Sequence, residues 1–250
     1  MSAIGFIGKL PAEGDFVHRR LPWAFQTGWD AWLQSGVAHS RTAMGDDWLA
    51  QFMVAPVWRF LLGAECLNAG QTGWGGLWFP SVDRVGRYFP FTVAFPLTGA
   101  AASAVDLITL APMFDALEDL ALSALDPRIS VRQLDVALQA FPLPLPAHDG
   151  LPVGEPPVAG DAVHVCLPDG APGDLLTALA VHGEAGSRGS VWHSPGSDRQ
   201  PATLLVSGSL PGARFLQACL TGCWDGVSRP VQPEPARPAD PASAQDTPQA

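Results

Sequence analysis

Ser81, Asp83, Arg84 and Arg87 fall within seven residues of one stretch, SVDRVGRYFP. Four kinds of chemistry could use such a set. Nucleophilic catalysis needs a serine presented on a strained turn with a histidine assigned to it. Ser81 has no Gly-x-Ser-x-Gly context, and the sequence ties none of the histidines at 18, 39, 148, 164, 182 and 193 to it. Phosphate hydrolysis needs a glycine-rich loop followed by lysine and serine or threonine, whereas Val85-Gly86-Arg87 supplies a single glycine. A metal centre needs clustered ligands. There is no His-x-x-x-His, the acids are scattered, and Cys66, Cys166, Cys219 and Cys223 form no Cys-x-x-Cys. Cys219 and Cys223 stand one helical turn apart, which suits reduced thiols on one helix face. What remains is ionic recognition, for which arginine is suited because its planar fork pairs with carboxylate or phosphate through two bonds.

Four more charged residues bear on that chemistry. Arg59 lies in APVWRFLL, residues 55–62. Strand alternation puts it on one face with Val57 and Leu61, and puts Trp58, Phe60 and Leu62 on the other. A charge sharing an apolar face is expected to be paired. Asp30 sits between Trp29 and Trp32 on a helical apolar stripe. Burial there requires a cation or a hydrogen-bond donor, and Arg59, Arg84 and Arg87 are the candidates. Lys9 and Asp15 flank the turn Pro-Ala-Glu-Gly and could meet each other or a ligand. Two readings of the set stay open. One is a structural network in which Arg59, Arg84 or Arg87 neutralises Asp15, Asp30 or Asp83. The other is a basic spot on an acidic protein that recognises an anion or docks a partner.

The elements that must position these groups follow from periodicity. Residues 2–10 read as a first strand. Leu21-Pro22 opens a helix whose apolar face is Trp23, Phe25, Trp29, Trp32, Leu33 and Val37. Gly45-Asp46 ends it and caps a second helix bearing Trp48, Leu49 and Phe52. Strands follow at 55–62, at 74–79, where Gly75-Gly76 signals a bulge or a close backbone approach, and at 91–95. Short turns between them favour an antiparallel sheet. Residues 103–125 are helical and interrupted at Pro112, which kinks the helix or starts a new one. Ser130 caps an amphipathic helix through Leu138. A Pro/Gly-rich excursion occupies 141–160. Beyond it, 161–167, 190–193 and 203–207 read as strands, Asp174 caps a helix from Leu175 to Val181, and Pro211 to Leu220 forms another. The fold class is mixed α and β, a largely antiparallel sheet flanked by helices. Residues 1–228 are expected to form one domain, with a motif-bearing part over 1–140 and a smaller part over 161–228. A split at the excursion is the alternative. Residues 229–250, rich in Pro, Ala, Asp and Gln, are expected to be a disordered tail.

Bulk composition narrows the function. Of 250 residues, 47% are apolar, enough for a sizeable core, and the net charge of −10 disfavours nucleic acid as a partner. No apolar run reaches the roughly 18 residues of a membrane helix. Arg19-Arg20 is not followed by the apolar segment of an export signal, so a cytoplasmic protein is expected. Nine tryptophans stand against one tyrosine, which suits either a large aromatic core or an interface.

Four motifs, in order, identify a resemblance. They are Gly5-Phe-Ile-Gly-Lys-Leu-Pro11 with Gly14-Asp15-Phe16, then Trp29-Asp30-Ala-Trp32, then Pro56-Val-Trp-Arg-Phe60, then Ser81-Val-Asp83-Arg-Val-Gly86-Arg-Tyr-Phe-Pro90. Together they resemble the TagF (ImpM) family of type VI secretion system-associated proteins. Val191-Trp-His193 and Leu210-Pro-Gly with Phe215 are a weaker echo, in which His193 stands where relatives often carry a second aromatic. The resemblance implies a cytoplasmic accessory protein that represses assembly of the secretion apparatus after translation. It implies association with a forkhead-associated-domain scaffold protein (Fha) and, in some bacteria, with the threonine kinase and phosphatase that control it. It implies no catalytic activity and no cofactor. It carries over Lys9, Asp15, Asp30, Trp58, Arg59, Ser81, Asp83, Arg87 and Tyr88 as partner-binding or structural residues. Arg84, between them, joins the set.

Three functions are thus expected to compete. The first is a non-enzymatic binding regulator. The second is an enzyme acting on a small ligand or phosphorylated residue, its cleft lined by Ser81, Asp83, Arg59 and Arg87. The third is a structural adaptor that docks through exposed tryptophans.

Overall fold

The computed structural model of the chain describes residues 4–67, 72–97, 102–143, 162–167, 186–187 and 189–230. Its strands are β1 (Gly5–Gly8), β2 (Val17–Arg19), β3 (Trp58–Leu62), β4 (Trp74–Phe79), β5 (Phe91–Pro96), β6 (Ala102–Ser103), β7 (Ala162–Leu167), β8 (Gly186–Ser187), β9 (Ser190–Ser194), β10 (Ala202–Ser207) and β11 (Arg229–Pro230). Its α-helices are α1 (Trp23–Met44), α2 (Trp48–Phe52), α3 (Ala104–Thr109), α4 (Ala111–Leu122), α5 (Val131–Ala140) and α6 (Arg214–Thr221).

Nine strands form one sheet in the order β11-β7-β10-β9-β3-β4-β5-β1-β2, and β6 pairs with β8 separately. Neighbours are antiparallel except β11 and β7. The mixed architecture expected from the sequence is therefore the one observed. Strands from either side of the Pro/Gly-rich excursion meet at β3 and β9, where Arg59 faces His193 and Phe60 faces Trp192.

Both faces of the sheet are covered, which is why β3, β4 and most of β5 are buried along their length, Arg59 and Thr92 included. On one face, Val57, Leu61, Leu77, Val93 and Phe95 pack with Leu110, Phe114 and Leu117 of the α3–α4 region and with Leu134 and Leu138 of α5. On the other, Trp58, Phe60, Trp78 and Trp192 pack with Phe25, Trp29 and Leu33 of α1 and Phe215 of α6. The alternation read from β3 holds. Trp29 is wholly buried and lies against Phe60 and Trp192, with its indole N–H donated to Thr92 at 2.9 Å.

Local chemistry explains the boundaries. Gly76 sits in unbroken register opposite Phe60 and Ala94, so the glycine pair marks close approach, not a bulge. A Cβ at Gly76 would meet the Val93 carbonyl at 2.3 Å and Phe60 at 2.6 Å. Pro112 lies in the first turn of α4, so it starts a new helix. Ser130 and Gln133 form a reciprocal capping box on α5.

Several expectations are corrected. The first strand is shorter, Gly5–Gly8, and the turn after it is closed by the Glu13 N–H on the Leu10 carbonyl at 3.0 Å. β2 has no periodic signal in three residues and escapes sequence reading. Gly45 ends α1 but leads into a 3₁₀ turn before α2. Cys223 lies past the left-handed Gly222 that stops α6, so it shares no helix face with Cys219. Arg229–Pro230, placed in the tail, pairs with β7. The helix expected over Leu175–Val181, most of the 141–160 excursion and the tail from 231 lie outside the described residues.

Candidate recognition site

The turn between β4 and β5 is built around one carboxylate. Asp83 is wholly buried at its side chain, and each oxygen is engaged. Oδ2 accepts from Lys9 Nζ and from Arg87 Nε, both at 2.7 Å. Oδ1 accepts from the backbone N–H groups of Arg87 at 2.8 Å and Val85 at 3.1 Å. Burial would raise the Asp83 carboxyl, but these bonds outweigh it and hold it well below the usual carboxylate range. Ser81 donates its hydroxyl to the Lys9 carbonyl at 2.6 Å, so it faces backbone and is itself buried.

This turn grips the preceding hairpin. The Arg84 N–H bonds the Glu13 carbonyl at 2.8 Å, and Arg87 bonds the Gly14 carbonyl through its guanidinium. Asp15 is exposed and lies 3.8 Å from Arg87, a loose contact. Gly8, at φ +142°, lets β1 pass close to Pro90 and Phe91; a Cβ there would meet the Pro90 carbonyl at 2.5 Å. At the far end Arg20 bonds the Ile4 carbonyl at 2.7 Å and pairs with Asp135 of α5. The β1–β2 hairpin is thus fixed at both ends.

The remaining predicted residues do not join this network. Arg59 faces the α4 side, where it bonds Glu118 at 2.7 Å and Asp115 at 2.8 Å. Its neighbour His193 titrates at about 4, lowered first by burial and then by the Arg59 charge, with Asp115 opposing. Trp58 is buried on the opposite face against Phe215 and Trp224, and its indole N–H has no acceptor, which marks it as packing. Tyr88 lies edge-on to Phe52 at 6.5 Å. Asp30 meets none of the three arginines proposed for it. Its bond comes from Gln34 Nε2 at 2.7 Å, one turn along α1. Ser81, Asp83 and Arg87 therefore converge, Lys9 completes them, and Arg59 stands elsewhere. Arg59 is taken up by Glu118 and Asp115, and Ser81 by the Lys9 carbonyl, so the two side chains do not contact a common group.

Sequence reading missed Trp23 as a surface residue. It was placed on the apolar face of α1, yet it is 79% exposed. The helical angle contains the signal: at 100° per residue Trp23 lies roughly 160° from Phe25, off the buried arc. Trp23, Phe16 and Asp30 line an open groove of about 510 Å³ between α1 and the β1–β2 hairpin. Glu118 and Asp115 were also missed as partners of Arg59, since a sequence separation above fifty residues gives no local cue.

The site thus comprises a sheet covered on both faces, an acidic–basic turn paired within itself, and an open groove beside the β1–β2 hairpin. Residues 5–141, more than half of the 250, match the TagF N-terminal domain, described as type VI secretion system-associated. A solved structure, that of PA0076 from Pseudomonas aeruginosa PAO1, is 36% identical, with a TM-score of 0.65 over 88% of this chain and 94% of that one. No curated protein matches. The chain belongs to the TagF family of type VI secretion system-associated proteins. Among the described residues, no helix is long and apolar enough to cross a membrane.

Proposed function

We propose that the chain is a non-enzymatic accessory protein of the type VI secretion system, one that represses apparatus assembly by binding a forkhead-associated-domain scaffold protein. The observation that supports this most is what the signature turn is used for. Ser81 is spent on the Lys9 carbonyl and Asp83 on Lys9 and Arg87. A serine so engaged is not presented as a nucleophile, and a carboxylate holding two cations is a poor general base. The same bonds set the position of the β1–β2 hairpin, so the turn shapes a surface. The threonine kinase and phosphatase pathway would then act on the scaffold partner. The adaptor reading, docking through exposed tryptophans, is narrowed to Trp23, because Trp29, Trp48, Trp58, Trp74, Trp78, Trp192 and Trp224 are buried and the half-buried Trp32 packs on Trp29 and Trp192 with its indole N–H donated to the Pro211 carbonyl.

The test joins a binding measurement to a secretion phenotype. The tagged full-length chain is expected to co-purify with the scaffold protein from its native host. Deletion is expected to release secretion and overproduction to block it. Unchanged secretion in both strains would overturn the proposal.

A further inference from the structure

Asp30 poses a question that the fold leaves unanswered. Its carboxylate is half-buried in the groove between α1 and the β1–β2 hairpin, and burial raises it while the Gln34 bond opposes. Among the described residues no lysine or arginine reaches it, and Gln34 bonds Oδ2 alone. The groove around it is lined by Phe16, His18, Trp23, Thr27 and Gln34. Trp23 and Phe16 are 79% and 44% exposed, a large apolar area to leave in water. β2 forms one wall and is the last strand at that edge of the sheet.

We propose that this groove takes an arginine side chain from an extended segment of a partner protein, which adds alongside β2 and lays its guanidinium on Asp30. Strand addition at an open edge supplies main-chain hydrogen bonds, and pockets for alternate side chains supply selectivity. His18 is paired opposite Ile7, and both line the groove. A side chain next to His18 on an added strand points the same way, because neighbours across a pleat share a face. The walls suit the stem of a long side chain and Trp23 offers a ring face to a cation. Arginine fits better than lysine because its head is planar, weakly hydrated and able to pair in two bonds.

Other occupants fit less well. A second copy pairing β2 to β2 about an axis at His18 would set His18, not an arginine, opposite His18, and about an axis at Arg19 would set two arginines opposite each other, which is destabilising. The chain's own residues 231–250 contain Arg237, but Pro238 follows it and Pro235 precedes it by two, removing N–H groups that a ladder needs. The inference goes beyond the choice of scaffold partner and does not depend on it.

The test is a nuclear magnetic resonance titration of the full-length chain. The probe is an acetylated, amidated heptapeptide of alternating threonine and valine with a central arginine. Companion peptides carry norleucine or glutamate at the centre. The arginine peptide is expected to shift the amides of Val17–Arg19 and the indole N–H of Trp23 saturably. Asp30→Asn, or norleucine at the centre, is expected to weaken binding about tenfold or more, the loss of one charge-assisted pair. Trp23→Ala is expected to weaken it as well, and an otherwise unchanged spectrum shows each variant folded. Shifts that ignore the central residue, or survive Asp30→Asn, overturn the proposal, as does silence of these resonances at millimolar peptide. A Trp23 resonance that moves with protein concentration alone places a second copy in the groove and overturns it too.

Discussion

Acidification tests the β3–β9 junction through one imidazole. His193 titrates at about 4 in the folded chain against an ordinary value of 6.5, because burial and the adjacent Arg59 charge both disfavour imidazolium. The folded state therefore binds fewer protons than the unfolded chain between those values. Stability from this group is fully present above pH 6.5 and is lost as pH falls toward about 4. Linkage over that window gives a loss of about 2 kcal/mol between pH 7 and pH 5. His193→Gln removes the titration while keeping a polar side chain beside Arg59. Urea unfolding, followed by tryptophan fluorescence, is run on both proteins at the two pH values. The parent is expected to lose about 2 kcal/mol more than the variant. His164, also lowered by burial, contributes equally to both and cancels in the difference. Parallel losses in the two proteins would refute the reasoning and mean that His193 is not desolvated beside Arg59.

Three further perturbations separate brace, network and backbone. Ser81→Ala deletes the 2.6 Å bond to the Lys9 carbonyl and should cost about 1–2 kcal/mol in urea, with Asp83→Asn costing more because it releases Lys9 and Arg87 together. Arg59→Met strands Glu118, whose side chain is 17% exposed, and should cost about 2–3 kcal/mol; adding Glu118→Leu should restore most of it in a double-mutant cycle. Gly76→Val drives a side chain into the Val93 carbonyl and the Phe60 ring, and should leave little soluble folded protein by circular dichroism.

The legible parts of the fold were those written in local periodicity. Val57, Arg59 and Leu61 against Trp58, Phe60 and Leu62 followed from alternation in one strand. The Ser130 cap of α5 followed from residues within one turn, whereas Pro112 marked a break whose choice between a kink and a new helix only the structure decides. β2 was invisible because three residues carry no period, and its pairing comes from the hairpin and from Arg87 and Arg20 at its ends. The site was legible to the same degree. The closeness of Asp83 and Arg87 in one turn made their pairing one of the readings open to the sequence, and the structure forms that pair. Lys9 as the second cation could not, because 74 residues separate it from Asp83. The partners of Arg59 are settled by α4 packing across β3, a tertiary fact with no trace in the strand itself.

Asp30 shows how a sound rule can point to the wrong partner. A desolvated carboxylate needs a cation or donors, and the chain has arginines enough to supply one. Each is committed elsewhere or turned away: Arg59 to α4, Arg87 to Asp83, and Arg84 beside Gly14 on the hairpin turn. Gln34 satisfies Asp30 halfway, which keeps the carboxyl tolerable in the isolated chain and leaves an acceptor facing the groove. A wholly buried acid would have forced an internal partner, and a wholly exposed one would have needed none. The intermediate case is what a recognition site requires, because a cation arriving from outside gains a charge-assisted pair without displacing an internal one. The brace at Asp83 makes that arrangement stable: it holds the hairpin wall still while the other wall, α1, is anchored by Trp29 in the core.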